Sequence, residues 1–260
     1  MRKQLLLLLS FTLLCFTLMA QGFSGFQKKW FIQGRDSLPY RILLPANYNV
    51  AKKYPIILFL HGSGERGSDN EKQLTHGAKL FLNEEVRKDY PAIVVFPQCP
   101  EKSTWSNVKI KTESGGKRTF DFQKGGEPTK AMALLESLTQ SLLYEYPVDK
   151  DRVYIGGLSM GGMGTFELVR RHPKLFAAAF PICGGANTAT AKKLKKPSWW
   201  VFHGAKDDVV PPQLSEVMVA ALKKKRADVK FTLYPEANHN SWDAAFAEKD
   251  LLPWLFSNHK

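Results

Sequence analysis

Residues 153–162, Val-Tyr-Ile-Gly-Gly-Leu-Ser-Met-Gly-Gly, constrain the fold of this chain more than any other stretch. An apolar, β-branched run ends at Gly156-Gly157, Ser159 follows, and Thr165 to Arg171 continues with helical spacing until His172-Pro173 stops it. A strand that becomes a helix within one residue puts that residue on a strained turn. Gly157 and Gly161, two positions to either side, leave room for strand and helix to pass closely. A serine at such a break projects its hydroxyl beyond the sheet edge. Gly-x-Ser-x-Gly also occurs in ordinary Gly-rich turns, but the strand before and the helix after this one supply the context of a nucleophile elbow.

A serine hydroxyl is a poor nucleophile without a base, so the histidines matter next. His61 and His203 each precede a glycine directly after an apolar run, which places them at strand ends. His172 ends a helix, His259 is one residue from the end, and His76 lies in a polar stretch. His239 remains. It follows the strand-like Val229 to Tyr234 and the turn Pro235-Glu236-Ala237-Asn238, and it precedes a helix-like segment from Ser241. The acidic partner should come from the loop after the preceding strand, where Asp207 and Asp208 compete and local spacing does not separate them. The carboxylate would accept a hydrogen bond from the imidazole and hold its productive tautomer.

A serine attacking a carbonyl also needs two backbone amides aimed at the developing oxyanion. One is the N–H of Met160, just after the serine at the helix start. The other is expected in the Gly-rich loop after Ile56 to Leu60, His61-Gly62-Ser63-Gly64-Glu65-Arg66-Gly67. We assign it to the N–H of Ser63, with Gly62 as the other position able to bring backbone close to a bound carbonyl.

His61 to Gly67, the elbow, Pro181-Ile182-Cys183-Gly184-Gly185, His203-Gly204-Ala205-Lys206-Asp207 and His239-Asn240-Ser241-Trp242-Asp243 together resemble the small secreted bacterial carboxylesterases of the α/β-hydrolase superfamily. The related groups are phospholipase/carboxylesterase, polyhydroxybutyrate-depolymerase-like and feruloyl-esterase-like. The resemblance covers nearly all of the chain after about residue 28. It implies the order Ser159, Asp207, His239, with the aspartate of His-Gly-x-x-Asp as triad acid, so Asp207 outranks Asp208, which is left to helix capping. It further implies serine-dependent ester hydrolysis with no metal or organic cofactor.

Apolar runs near 40–44, 56–60, 92–96, 152–156, 177–182, 199–202 and 229–234 alternate with helical stretches near 71–87, 128–146, 160–171, 212–226 and 241–256. That alternation predicts an α/β fold, a mostly parallel central sheet with helices on both faces and reactive groups at the strand C-terminal edge. With no internal repeat or linker, residues 21–260 read as one domain. Asn107 to Phe122 reads as a hairpin turning at Gly115-Gly116, and Trp105 before it is expected to line the substrate pocket. On the strand order usual in the superfamily, Cys99 and Cys183 follow strands separated by two others, roughly 14 Å apart. A disulfide needs Cα atoms within about 7 Å, so both are expected as buried free thiols.

Met1-Arg2-Lys3, the apolar run Leu5 to Met19 and Ala20-Gln21 read as a cleaved signal peptide, residues 1–20, too short for a stable membrane span. The mature protein is therefore expected to be secreted or periplasmic. Without Arg2 and Lys3 the charge is still strongly positive, 35 basic against 24 acidic residues. Lysines cluster at 192–196 and 223–225. A solvated helix face explains them, and attraction to an acidic polymer is the functional alternative. No nucleic-acid-binding motif is present. The sequence thus leads to the expectation of a secreted serine carboxylesterase acting on acetyl or aromatic-acyl esters attached to polysaccharide. A serine peptidase of prolyl-oligopeptidase type ranks lower for want of that group's large additional domain, and a non-catalytic binding module on the same fold ranks lower because the triad and glycines are intact.

Overall fold

The computed structural model describes residues 22–116 and 118–260, and the expected signal peptide lies outside the described residues. Eight strands form one sheet: β1 (Gln27–Gln33), β2 (Asp36–Leu43), β3 (Tyr54–Leu60), β4 (Ile93–Pro97), β7 (Val148–Leu158), β8 (Ala178–Ile182), β9 (Ser198–Gly204) and β10 (Val229–Tyr234). Their spatial order is β1-β2-β4-β3-β7-β8-β9-β10. From β4 to β10 every neighbour is parallel, while β1 and β2 close one edge antiparallel. This is the α/β-hydrolase arrangement expected, with helices on both faces.

Parallel strands covered on both faces bury successive residues in opposite cores, which is why they read as unbroken apolar runs. Ile56, Leu58 and Leu60 of β3 face one core with Trp199 and Val201 of β9. Helices α3 (Lys130–Glu145), α4 (Met160–Arg171) and α5 (Gln213–Lys224) cover that side. Ile57 and Phe59 face the other core with Trp200 and Phe202. There the short helices α1 (Ala78–Leu82), α2 (Glu84–Asp89), α6 (Trp242–Phe246) and α7 (Leu251–Ser257) pack.

Three differences from the sequence expectation have local causes. Strand β1 is largely exposed, and its short apolar stretch Trp30-Phe31-Ile32 is flanked by Lys and Gln rather than forming a buried run. It exists because Gly34, at φ 62°, lets the chain fold back and pair Gln33 with Asp36. The stretch 71–87 is broken rather than one helix: Gly77 takes φ 82° against the Phe246 ring, and Asn83 stops α1 and caps α2 by accepting from the Val86 N–H. The stretch 241–256 likewise divides into α6 and α7.

The expected hairpin forms as β5 (Val108–Thr112) and β6 (Arg118–Phe122), a two-stranded unit separate from the main sheet. Asn187 Nδ2 donates to the Phe122 carbonyl and Asn107 Nδ2 donates to the carbonyls of Gly125 and Glu127, tying its base down. The strands preceding Cys99 and Cys183, β4 and β8, have two others, β3 and β7, between them, and both cysteines are buried and free.

Phe59 is fully buried and touches the rings of Phe96, Phe180 and Phe246 from three separate elements. Phe59→Ala is expected to cost about 3–5 kcal/mol in urea unfolding with an unchanged slope against denaturant.

Candidate active site

Strand β7 ends at Leu158 and α4 begins at Met160, so Ser159 alone makes the turn, at φ 53° and ψ −116°. Few residues with a side chain hold a positive φ, and this one is over-determined by its surroundings. A Cβ at Gly161 would stand 1.9 Å from the Leu60 carbonyl oxygen, and one at Gly157 would stand 2.5 Å from the Gly161 carbonyl oxygen. Only glycines allow three pieces of backbone to meet there. The Ser159 N–H is tied to the Ile182 carbonyl of β8 at 2.9 Å.

The loops after β9 and β10 carry the other two groups. Ser159 Oγ lies 3.0 Å from His239 Nε2, and His239 Nδ1 lies 2.8 Å from Asp207 Oδ2. Asp207 Oδ1 accepts from the N–H groups of Val209 and Val210 at 2.9 and 2.8 Å. Burial alone would raise the Asp207 pKa. Hydrogen bonds from His203, His239 and the Val210 N–H outweigh it and hold the carboxyl well below the usual range, so it stays ionised. Asp208 is exposed, and its expected capping role is not met, because Pro212 occupies the N-cap of α5. Trp242 stacks edge-on behind His239 with centroids 5.3 Å apart.

Two histidines that looked like ordinary strand-end residues prove to hold the site. The Cys99 N–H donates to His61 Nε2 at 2.9 Å, so Nδ1 carries the ring proton and donates to the Gly62 carbonyl at 2.6 Å. Burial lowers the His61 pKa to about 4, keeping the ring neutral. In a trans peptide C=O and N–H point opposite ways, so fixing the Gly62 carbonyl turns the Ser63 N–H away from His61. That N–H has no acceptor among the described residues, and the Met160 N–H, at the first position of α4, has no intrahelical one. Gly62 itself sits so that an added Cβ would lie 3.7 Å from Ser159 Cβ.

The second is His203, fully buried, whose Nε2 stands 2.8 Å from the Val210 carbonyl and 3.2 Å from Asp207 Oδ2. Both are acceptors, so Nε2 carries a proton and grips the same carboxylate oxygen that His239 uses. Each of these histidines precedes a glycine at a strand end. That spacing was visible; the pairing of His61 with the Cys99 N–H across the fold, and the loop that turns Asp207 and Val210 back onto His203, were not.

A cavity of about 420 Å³ opens over Ser159. Its walls include Met160 and Met163 of α4, Val209 and Val210, Ser63 and Arg66, and one face of the hairpin, with Val108, Ile110 and Phe120. Trp105 is not part of it, contrary to expectation. Its side chain is fully buried, edge-on to His61, with its Cβ where a Cβ on Gly164 would come within 2.4 Å. Glycine at 164 makes a slot that takes the indole into the core behind the loop.

Among the described residues, Cys183, Asp207 and His239 form the one cluster whose ligand atoms could converge on a metal ion. Burial pushes the Cys183 thiol pKa strongly upward, and the other two groups are engaged with each other, so this cluster reads as the back of the triad.

The family model described as Esterase matches residues 35–226, a span that includes the elbow, Asp207 and the His61 loop. The chain belongs to this esterase family. A solved thermostable esterase superposes with a TM-score of 0.81 at 34% identity, over 92% of this chain and 64% of that one. A bifunctional acetylxylan esterase/xylanase of Neocallimastix patriciarum is 29% identical over 70% of this chain and 23% of its own length. A probable feruloyl esterase C of Aspergillus terreus is 24% identical over 69% of this chain and 57% of its own. The esterase chain thus spans less than two thirds of each of these relatives.

The depressed Asp207 pKa has a consequence for stability. Its contribution is fully present above the unfolded carboxylate value of about 4 and is lost as pH falls from there toward the folded value. The stability difference between wild type and Asp207→Asn is expected to shrink as pH falls below about 4, in denaturant titrations at each pH.

Proposed function

We propose that this member of the esterase family is an exported serine carboxylesterase that hydrolyses acetyl or feruloyl esters on polysaccharide through an acyl-enzyme. The observation that carries the reading is the continuous line Ser159 Oγ, His239 Nε2, His239 Nδ1, Asp207 Oδ2 at 3.0 and 2.8 Å, opening on an accessible cleft. Ser159 Oγ attacks the ester carbonyl while His239 Nε2 takes its proton, and the ionised Asp207 stabilises the imidazolium. The tetrahedral oxyanion accepts from the N–H groups of Ser63 and Met160. Collapse expels the alcohol with the proton from His239. Water, deprotonated by the same imidazole, then attacks the acyl-Ser159 ester and restores the serine.

The apolar hairpin face with Met160 and Met163 suits an aromatic or short acyl group, and a cleft of about 420 Å³ is ordinary for a small-molecule site. Support for polysaccharide esters comes from the relatives named as acetylxylan and feruloyl esterases. Export rests on the basic, then apolar, then small-residue pattern of residues 1–21, and no helix among the described residues is long and apolar enough to cross a membrane.

Hydrolysis of acetyl, butyryl, octanoyl and feruloyl esters, with a prolyl-anilide as control, tests the proposal. Ester turnover that falls at least about 10⁴-fold in Ser159→Ala is expected; turnover of the anilide alone would instead favour the peptidase reading, and no Ser159-dependent turnover would favour the binding module. Removing one oxyanion donor outright typically costs roughly 10²–10³ in kcat. His61→Asn, which only loosens the peptide bearing one donor, is expected to lower kcat about 10-fold to 100-fold with KM within about twofold. A parallel loss in Tm alone, with kcat intact, would reduce His61 to a packing residue.

A further inference from the structure

Next to the catalytic cleft lies a second cavity of about 440 Å³, lined by Trp30, Arg35, Asp36, Pro39, Gly67, Ser68, Lys102, Ser103 and Lys130 among others. The two share a wall. Arg66 and Thr104 line the first, while their chain neighbours Gly67 and Ser103 line the second. The wall is held by one side chain: Arg66 donates from Nε to the Ser63 carbonyl and from Nη1 to the carbonyls of Glu101 and Ser103. Arg66 thus stands between the two cavities.

The second cavity has a distinctive chemistry. Trp30 lies on the edge strand β1 and is 51% exposed, an unusual place to leave an indole in water. It sits opposite Pro39 in the β1–β2 ladder, which gives it a rigid mount. Around it the charges are one-sided. Asp36 is paired with Lys130, while Arg35 and Lys102 are exposed and form no ion pair with a carboxylate among the described residues. The catalytic cleft continues the pattern, with Arg66 and Arg118 on its walls, no carboxylate among its lining residues and no ion pair to either arginine among the described residues. A flat aromatic platform stacks on the C–H face of a sugar ring, and unopposed cations attract carboxylates across a low-dielectric cleft.

We infer that the Trp30 cavity is a backbone subsite for a uronate-bearing polysaccharide, whose esterified residue reaches Ser159 while a neighbouring sugar stacks on Trp30 and its carboxylates meet Arg35, Lys102 and Arg66. This rests on the esterase reading for the cleft and adds the class of polymer that the cleft serves. The attraction between exposed charges is screened by salt, whereas the stacking contribution persists.

The experiment compares three probes: acetylated glucuronoxylan oligosaccharides, the same oligosaccharides with the uronate carboxyl reduced to the alcohol, and 4-nitrophenyl acetate. In wild type, kcat/KM on the uronate-bearing oligosaccharides is expected to exceed that on the reduced ones about fivefold. The double variant R35Q/K102Q closes that gap. Trp30→Ala lowers the ratio of kcat/KM on either oligosaccharide to that on the aryl acetate about tenfold, and Trp30→Phe restores most of it. Calorimetric binding of deacetylated glucuronoxylan oligosaccharides to Ser159→Ala, lost when Trp30→Ala is added, reads the subsite without turnover. An unchanged ratio and unchanged binding in the Trp30→Ala variants, or equal rates on native and reduced oligosaccharides in wild type, would overturn the inference; a change confined to oligomeric state would assign Trp30 to a contact between copies and overturn it as well. Absence of aryl acetate hydrolysis with binding retained would instead sink the esterase reading and leave the subsite standing.

Discussion

At Ser159 three backbones cross: the end of β7, the start of α4 and the carbonyl of Leu60 at the end of β3 approach so closely that a single methyl group on Gly157 or Gly161 would collide. The crossing forces Ser159 to φ 53° and aims its hydroxyl past the strand ends. Because β3 is the strand that leads into the His61 loop, the same contact brings the Ser63 amide to the serine. The order of β3, β7, β8 and β9 in the sheet then decides which loops can reach that point. The site is a consequence of the crossing and of strand order together.

Around that point the polar groups form one connected set. His61 orients the Gly62-Ser63 peptide, His203 and the Val209 and Val210 amides hold Asp207, and Asp207 holds His239. Low local dielectric strengthens each of these contacts and raises the penalty for leaving any one unmade. The neutral His61 serves as a fixed donor and the ionised Asp207 as a fixed acceptor, so neither needs to change state to keep the serine and its base aligned. The side chains that meet the substrate, by contrast, come from the hairpin and the edge strand, which lie outside the central sheet or at its border. Rigid chemistry and variable recognition are thereby separated in the fold.

What was legible in the sequence follows from periodicity and from glycine. The parallel strands were visible because burial on both faces demands continuous apolar runs, and the elbow because no other residue than glycine fits at 157 and 161. Strand β1 was not visible, since an exposed edge strand needs no apolar pattern. The single helices expected over 71–87 and 241–256 divide where Gly77 and the Phe246 ring meet across the fold, a contact that local composition does not announce. Trp105 was misread for a related reason. An aromatic residue after a strand end can face a cleft or a core, and the slot made by Gly164 sixty residues away chose the core.

The sequence by itself determined the fold class, the nucleophile position and the candidate base, because strand-turn-helix geometry and loop order are local properties of the chain. The resemblance had only implied Asp207 over Asp208 as the partner of His239; the tertiary structure places Asp207 at that imidazole, and it alone decided which two further histidines lock the site and which side chains wall the cleft. The triad pairings are long-range, Asp207 with His239 and Ser159 with His239 lying about 30 and 80 positions apart, and His61 likewise reaches the Cys99 N–H from another strand end. They exist only once the sheet has stacked its strands in order and brought their C-terminal ends to one edge.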